Sequence, residues 1–211
     1  MKTGTKIFIA IVILAIVLIL IVGGYLLHIR NADYYFYKTV PPDEAKLRSQ
    51  VVKEAQKWLG YNEKDGSHQQ IIDIYNAHEP LAQGYNVKYD DEWCATFVSA
   101  VAIQCDITQI IPTECGCQRQ IELFKELGTW IEDDSYKPLP GDIIYYSRED
   151  SGIPKECTLW SDHVGIVVGT YENYIKVIEG NYSDEVGYRY LEVDSTGIRG
   201  YAVPNYGTIK E

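Results

Sequence analysis

The spacing of hydrophobic residues changes once along this chain, at the turn formed by residues 138–142. Before this turn, apolar residues recur at helical spacing in segments that begin near residues 43, 66, 94 and 118. After it come short β-rich runs bounded by Gly, Asn, Asp or Ser, at residues 143–146, 164–168, 174–178, 188–192 and 198–203. Helices followed by mainly antiparallel strands predict an α+β fold in which the N-terminal helices pack on one face of the sheet.

The N-terminal end of the chain carries an uncharged apolar run from Ile7 to Leu27. A helix of 21 such residues is about 30 Å long, which matches the hydrocarbon core of a bilayer. Lys2 and Lys6 precede the run, and the positive-inside bias favours a cytoplasmic N-terminus. The sequence therefore predicts a cytoplasmic tip and one transmembrane helix (residues 1–30), a juxtamembrane linker (31–44) and one folded domain (45–211).

That arrangement predicts a single-pass protein of the cell membrane with its folded domain outside the cytoplasm. A cleaved signal peptide is the alternative, because Val22-Gly23-Gly24 offers small residues for cleavage.

The net charge is −11, and residues 31–211 hold 16 basic and 30 acidic side chains. Such an acidic surface argues against nucleic acid as a partner, since phosphate binding requires a basic footprint.

Cys94 opens an apolar segment in which Phe97, Val98 and Val101 recur at helical spacing. The cysteine is therefore expected in the first turn of a buried helix. Free N–H groups and the helix dipole stabilise a thiolate at that position, which lowers the pKa of the thiol and makes it a nucleophile at neutral pH. The alternative is that Cys94 is a small buried apolar residue.

His163 and Glu179 are expected on neighbouring strands of one hairpin. If the hairpin turns around Tyr171, His163 lies directly opposite Glu179, and Asn181 points to the same face. An imidazole with a carboxylate orienter is the arrangement that a cysteine nucleophile requires. A register slip of one residue would separate the pair, and an ordinary surface pair of cross-strand residues is the alternative.

The other cysteines give weaker signals. Cys105 is expected to be buried and inert, and one C-x-C motif at Cys115 and Cys117 is a poor zinc signature. A disulfide from Cys157 to Cys115 or to Cys117 remains open. No metal and no cofactor are predicted.

Four motifs together resemble the CHAP family, the cysteine, histidine-dependent amidohydrolases and peptidases of the papain-like superfamily, over roughly residues 45–206. They are Trp93-Cys94-Ala95-x-Phe97-Val98-Ser99, Gly141-Asp142-Ile143-Ile144, Asp162-His163-Val164-Gly165-Ile166-Val167 and Glu179-Gly180-Asn181-Tyr182. The resemblance implies a papain-like fold and hydrolysis of peptidoglycan, as an N-acetylmuramoyl-L-alanine amidase or an endopeptidase. It also implies that Cys94 is the nucleophile, His163 the general base, Glu179 its orienter and Asn181 an accompanying polar residue.

Trp93 and Trp160 are candidate substrate contacts, with a core or rim position as the alternative for each. The implied partner is peptidoglycan, with a cell-envelope machine as a further hypothesis. Two other functions remain open: a non-catalytic module that binds wall peptides, and a papain-like peptidase or amidase with a substrate outside the wall.

Overall fold

The computed structural model describes residues 3–147 and 160–209, and it divides the chain into two compact units, Met1–Val40 and Pro41–Glu211. The first unit is one long helix, α1 (Thr3–Thr39). Residues 31–39, which the sequence favoured as a linker, continue this helix.

The predicted transmembrane anchor is wrong, because no helix in the part of the chain that the structure describes is both long enough and apolar enough to cross a membrane. The single-pass localisation, with the domain outside the cytoplasm, depended on that anchor and is corrected with it.

Four helices open the second unit, close to the positions that the hydrophobic periodicity predicts. They are α2 (Pro42–Lys57), α3 (Gln69–Asn76), α4 (Cys94–Gln104) and α5 (Cys117–Glu126). Helix α4 is central: it contacts α2, α3, α5 and the sheet. Its first nine residues, all small or apolar apart from one Thr and one Ser, are buried, so the start of α4 is held firmly by its surroundings.

In the part of the chain that the structure describes, six antiparallel strands follow, in the spatial order β1-β6-β2-β3-β4-β5. The strands are β1 (Trp130–Ile131), β2 (Ile143–Tyr146), β3 (His163–Tyr171), β4 (Tyr174–Glu179), β5 (Gly187–Glu192) and β6 (Ile198–Ala202). The α+β layout with an antiparallel sheet is confirmed. Strand β1, only two residues long, carries too little pattern to be found from sequence.

The two faces of strand β3 belong to different apolar clusters. Val164 and Ile166 join the large core that includes α4, whereas Val167 joins a smaller cluster on the other face of the sheet. Because side chains alternate along a strand, His163 and Gly165 share the face of Val167. His163 is the first residue of β3, and its side chain therefore lies at the end of the sheet.

A buried ion pair ties α2 to the turn that precedes β2. Arg48 donates to Asp142 at 2.7 Å and to the carbonyl of Pro140 at 3.1 Å. The side chains of Arg48 and Asp142 are 3% and 0% exposed. Burial raises the pKa of Asp142, and the Arg48 cation partly offsets this. The pair fixes the Gly141-Asp142 turn, from which strand β2 runs beside His163.

Candidate active site

Cys94 is the first residue of α4 and is only 3% exposed, as the sequence predicts for the start of a buried helix. Its pKa lies well below that of an ordinary thiol: the adjacent thiol of Cys117 lowers it most, and the His163 imidazole and the backbone N–H of Ala95 lower it further. Burial acts in the opposite direction and is outweighed. These contacts favour a thiolate at Cys94, the nucleophilic form of cysteine.

His163 and Glu179 form a buried hydrogen bond. Nε2–H of His163 donates to Oε2 of Glu179 at 2.9 Å, since an ionised carboxylate only accepts. The two side chains are 2% and 0% exposed. Among the described residues, Nδ1 of His163 has no hydrogen-bond partner, so this nitrogen is available to exchange a proton with Cys94.

The charges of this pair reinforce one another. Burial by itself would lower the pKa of His163, but Cys94 and Glu179 outweigh it and raise the pKa to about 9. Burial favours the protonated form of Glu179, but hydrogen bonds from His163 and Arg189 outweigh it and lower the pKa. The favoured resting state is therefore a thiolate and an imidazolium, with an ionised carboxylate behind the ring.

The register of the β3–β4 hairpin differs from the predicted one by two residues. Ile166 pairs with Ile178 and Val167 with Val177, a register that places Glu179 opposite Gly165 rather than opposite His163. A shift of two residues leaves a side chain on the same face of a sheet. His163 and Glu179 are therefore diagonal neighbours, and their side chains still meet.

A β-bulge keeps Glu179 on the correct face. The hairpin turns through two residues, Glu172 and Asn173, and the register shifts between Val167 and Gly169. Without this extra residue, the register set by the turn would place Glu179 opposite Ile166, on the face that packs against the helices. The bulge therefore brings the carboxylate to His163.

Because Gly165 has no side chain, it leaves room for the side chain of Glu179. A β-carbon added at this position would lie 2.6 Å from Cγ of Glu179 and 2.5 Å from Cγ1 of Val177. Atoms of real side chains do not approach so closely. The glycine in Asp162-His163-Val164-Gly165 thus has a physical role in the site.

Arg189 on β5 is a site residue that the sequence reasoning missed. Its Nε donates to both carboxylate oxygens of Glu179, at 2.7 and 3.0 Å. In the β4–β5 register Arg189 is opposite Val177, two residues from the partner of Glu179 and on the same face. Residues 180–186 connect β4 to β5 and are too many for a tight turn that fixes the register, so no count along the sequence places this cation beside Glu179.

The other predicted site residues lie in different environments. Asn181 donates its amide to Glu92 at 2.7 Å. Trp93 is fully buried and donates to Glu63 at 2.9 Å, whereas Trp160 is 73% exposed. A substrate could touch Trp93 only after local rearrangement, while Trp160 is accessible. The catalytic role of Asn181 and the substrate contacts of both tryptophans stay predictions.

The remaining described cysteines, Cys105, Cys115 and Cys117, are free thiols, and Cys157 lies outside the described residues. Burial raises the pKa of Cys105 to about 12, which keeps this thiol protonated. Within residues 3–147 and 160–209, no cluster of three or more His, Cys, Asp or Glu side chains could hold a metal ion. The disulfide that the sequence left open requires Cys157, so this prediction lies outside the described residues.

Two cavities adjoin His163 and Arg189. One, of about 330 Å³, is also lined by Glu92, Asn181 and Tyr182. The other, of about 490 Å³, is walled largely by aromatic rings, those of Tyr146, Tyr182, Tyr188 and Tyr190. A ligand in either cavity would contact the histidine of the Cys94-His163-Glu179 set.

The family comparison agrees with this geometry. The model of the CHAP domain matches residues 84–181, a range that begins before Cys94 and ends at Asn181. Residues 84–181 are a CHAP domain. No curated protein and no solved structure matched it. A CHAP domain is a papain-like hydrolase domain that acts on amide bonds. The comparisons give no support to a membrane or an envelope machine as a partner.

Proposed function

We propose that this CHAP domain hydrolyses amide bonds of peptidoglycan, as an N-acetylmuramoyl-L-alanine amidase or as an endopeptidase, with Cys94 as its nucleophile. One observation carries the proposal: the buried hydrogen bond from His163 to Glu179 leaves the second ring nitrogen for a thiol at a helix start. The lowered pKa of Cys94 and the raised pKa of His163 support the same roles.

In the proposed reaction, the Cys94 thiolate attacks the carbonyl carbon of the scissile amide. The backbone N–H of Cys94, at the first residue of α4, has no carbonyl partner within the helix and would donate to the developing oxyanion. Nδ1–H of His163 then protonates the departing amine, and a thioester forms on Cys94. Water, deprotonated by His163, hydrolyses the thioester and regenerates the thiolate.

Glu179 has two functions in this scheme. It holds the imidazole in one tautomer, with Nε2 protonated and Nδ1 directed at the chemistry, and it stabilises the imidazolium. Arg189 in turn fixes the carboxylate by donating to both of its oxygens. Trp160 and the tyrosines of the larger cavity would contact the sugar and peptide parts of the substrate.

A module that only binds wall peptides is the alternative from another class of function. Such a module would gain nothing from an ionised thiol beside a buried histidine and carboxylate, and burying these charges is costly. Perturbed pKa values in a set of nucleophile, base and orienter are typical of catalysis. We therefore favour the enzyme.

The test uses the full-length chain, as wild type, Cys94→Ala and Cys105→Ala, incubated with purified peptidoglycan. Soluble fragments are identified by mass spectrometry. We expect fragments from the wild type and from Cys105→Ala, which removes a thiol outside the site, but none from Cys94→Ala. Equal release by all three proteins, or release by none across several wall chemistries, would contradict the proposal. The fragment masses distinguish an amidase from an endopeptidase.

A further inference from the structure

A second cysteine lies against the candidate nucleophile. The sulfur atoms of Cys94 and Cys117 are 3.5 Å apart, and both residues are buried. Each cysteine is the first residue of its helix, α4 and α5 respectively. Two helix starts therefore converge on one pair of sulfurs, where their N–H groups and dipoles favour negative charge.

The position of Cys117 is fixed by a buried carboxylate. Oε1 of Glu114 accepts hydrogen bonds from the backbone N–H groups of Cys115 and Gly116, at 2.8 and 3.3 Å, and from the Gln83 amide at 2.8 Å. These contacts hold the turn that leads into α5. Cys117 therefore has little freedom to leave the nucleophile.

Helix α4 itself holds this turn. The hydroxyl of Ser99, on α4, donates to the carbonyl of Glu114 at 2.7 Å and accepts from its N–H at 2.9 Å. The helix that begins with Cys94 thus also holds the segment that delivers Cys117. Helix α4 and the turn before α5 therefore together fix the contact between the two sulfurs.

Only one of two thiols in contact can readily ionise, because like charges repel at this distance. Cys94 has the imidazolium of His163 as a neighbour, which favours its thiolate. Hydrogen bonding to Cys94 and burial both raise the pKa of Cys117. The pair therefore divides into an acceptor, the Cys94 sulfur, and a donor, the S–H group of Cys117.

We propose that Cys117 is a positioning residue of this site, whose S–H group donates a hydrogen bond to the Cys94 thiolate, keeping it ionised and in place beside His163. This inference rests on the proposed role of Cys94 as the nucleophile. Cys117 itself is not consumed and forms no bond to the substrate. The contact gives the C-x-C motif a function that neither zinc nor a disulfide supplies.

The experiment measures the alkylation of Cys94 by iodoacetamide from pH 4 to pH 10 in the full-length chain. Mass spectrometry of the digested protein quantifies each cysteine separately. Cys117→Ala and Cys117→Val remove the donor at two side-chain volumes, and Cys117→Ser retains a donor. Cys115→Ala is the matched control, since the sulfur of Cys115 contacts Glu114 instead.

We expect the pH midpoint of Cys94 alkylation to rise by about one unit in Cys117→Ala and Cys117→Val. This is the size expected for losing one hydrogen bond to a charged group, and it corresponds to about a tenfold slower reaction below the midpoint. The midpoint should stay near the wild-type value in Cys117→Ser and in Cys115→Ala. An unchanged midpoint in a folded Cys117→Ala or Cys117→Val, judged by circular dichroism, would overturn the proposal.

If neither Cys117→Ala nor Cys117→Val folds, the alkylation of Cys117 in the wild-type protein tests the proposal instead. Cys117 must then stay unmodified to a pH well above the midpoint of Cys94, and modification of both at one midpoint refutes its donor role. Alkylation needs no peptidoglycan, so the outcomes separate the two proposals. A Cys117-dependent midpoint without wall hydrolysis would reject only the proposed function, and Cys94-dependent hydrolysis with an unchanged midpoint would reject only the inference.

Discussion

Gly165→Ala is the substitution that tests most directly how the hairpin builds the site. The added β-carbon would lie 2.5 Å from Cγ1 of Val177, 2.6 Å from Cγ of Glu179 and 3.1 Å from the carbonyl oxygen of Ile178. Carbon atoms in contact are normally about 3.5 Å apart or more, so the Glu179 contact is about 0.9 Å too short. All three atoms belong to β4, which is paired on both sides and cannot easily yield.

The expected cost follows from these contacts. Adding a methyl group to a packed interior costs about 1–3 kcal/mol, and we expect the free energy of unfolding to fall by that amount. The least constrained group nearby is the Glu179 side chain, so the strain should move its carboxylate away from His163. Losing this partner lowers the pKa of His163 from about 9, because Glu179 is one of the two groups that raise it.

Two measurements on the full-length chain check this expectation. Urea unfolding gives the free energy of unfolding, and the pH dependence of peptidoglycan hydrolysis gives the alkaline limb that reports His163. Gly207→Ala is the control, since the nearest atom to its added β-carbon is 3.8 Å away. If Gly165→Ala leaves both the stability and the alkaline limb at wild-type values, the proposed role of this glycine is refuted.

Further predictions concern pH and the buried ion pair. Hydrolysis should decline as the pH rises through about 9, because the imidazolium of His163 that protonates the leaving amine is lost; activity that still increases beyond pH 10 would refute this. The free energy of unfolding should change little between about pH 6.5 and 9, because two effects oppose each other. In this range folded His163 keeps a proton that the unfolded chain loses, so this residue lowers the stability as the pH rises. Folded Cys94 has already lost a proton that the unfolded chain keeps, so this residue raises the stability as the pH rises. Urea unfolding across this range measures the sum, and a steep slope would show that one of the two shifts is absent. Arg48→Met leaves the Asp142 carboxylate buried without its cation and should lower the free energy of unfolding by about 3–5 kcal/mol. Lys57→Met, the control, breaks an exposed ion pair and should change this free energy by less than about 0.5 kcal/mol. Equal effects of the two substitutions in urea unfolding would refute the importance of the buried pair.

The sequence predicted the layout of the folded domain because its elements carry clear periodic patterns. Residues 143–146 were predicted and observed as β2 with the same bounds, and the helix at Cys94 was predicted within one residue of its end. Apolar spacing reports burial, and burial follows from local amphipathicity. The apolar run within α1 led to the wrong prediction of a transmembrane anchor, since an apolar run alone does not establish a membrane-spanning helix.

The site was predicted less completely because it depends on registers and on contacts between distant segments. The predicted opposition of His163 and Glu179 was wrong by two residues, and no local pattern reveals the bulge at Val168 that restores the correct face. Cys117 reaches Cys94 only because α5 packs beside α4. A sequence pattern indicates which residues face the interior, but not which of them touch.

The charges of the site alternate in a way that explains how they are buried together. The order is Cys94, His163, Glu179 and Arg189, negative and positive in turn, with a total charge of zero. Burying an unpaired ion costs several kcal/mol, but each charge here has a neighbour of opposite sign. The last member, the side chain of Arg189, is 34% exposed, so water solvates that end of the series.

Arg189 also limits how strongly Glu179 acts on the histidine. A carboxylate that accepts two hydrogen bonds from a guanidinium has less negative potential to offer the imidazolium, so it raises the pKa of His163 less than a free carboxylate would. In the proposed reaction, His163 can therefore still release its proton to the leaving group. Because Arg189 is on β5, beyond the residues that the CHAP model matches, the functional unit of this site includes a strand that the family pattern alone does not identify.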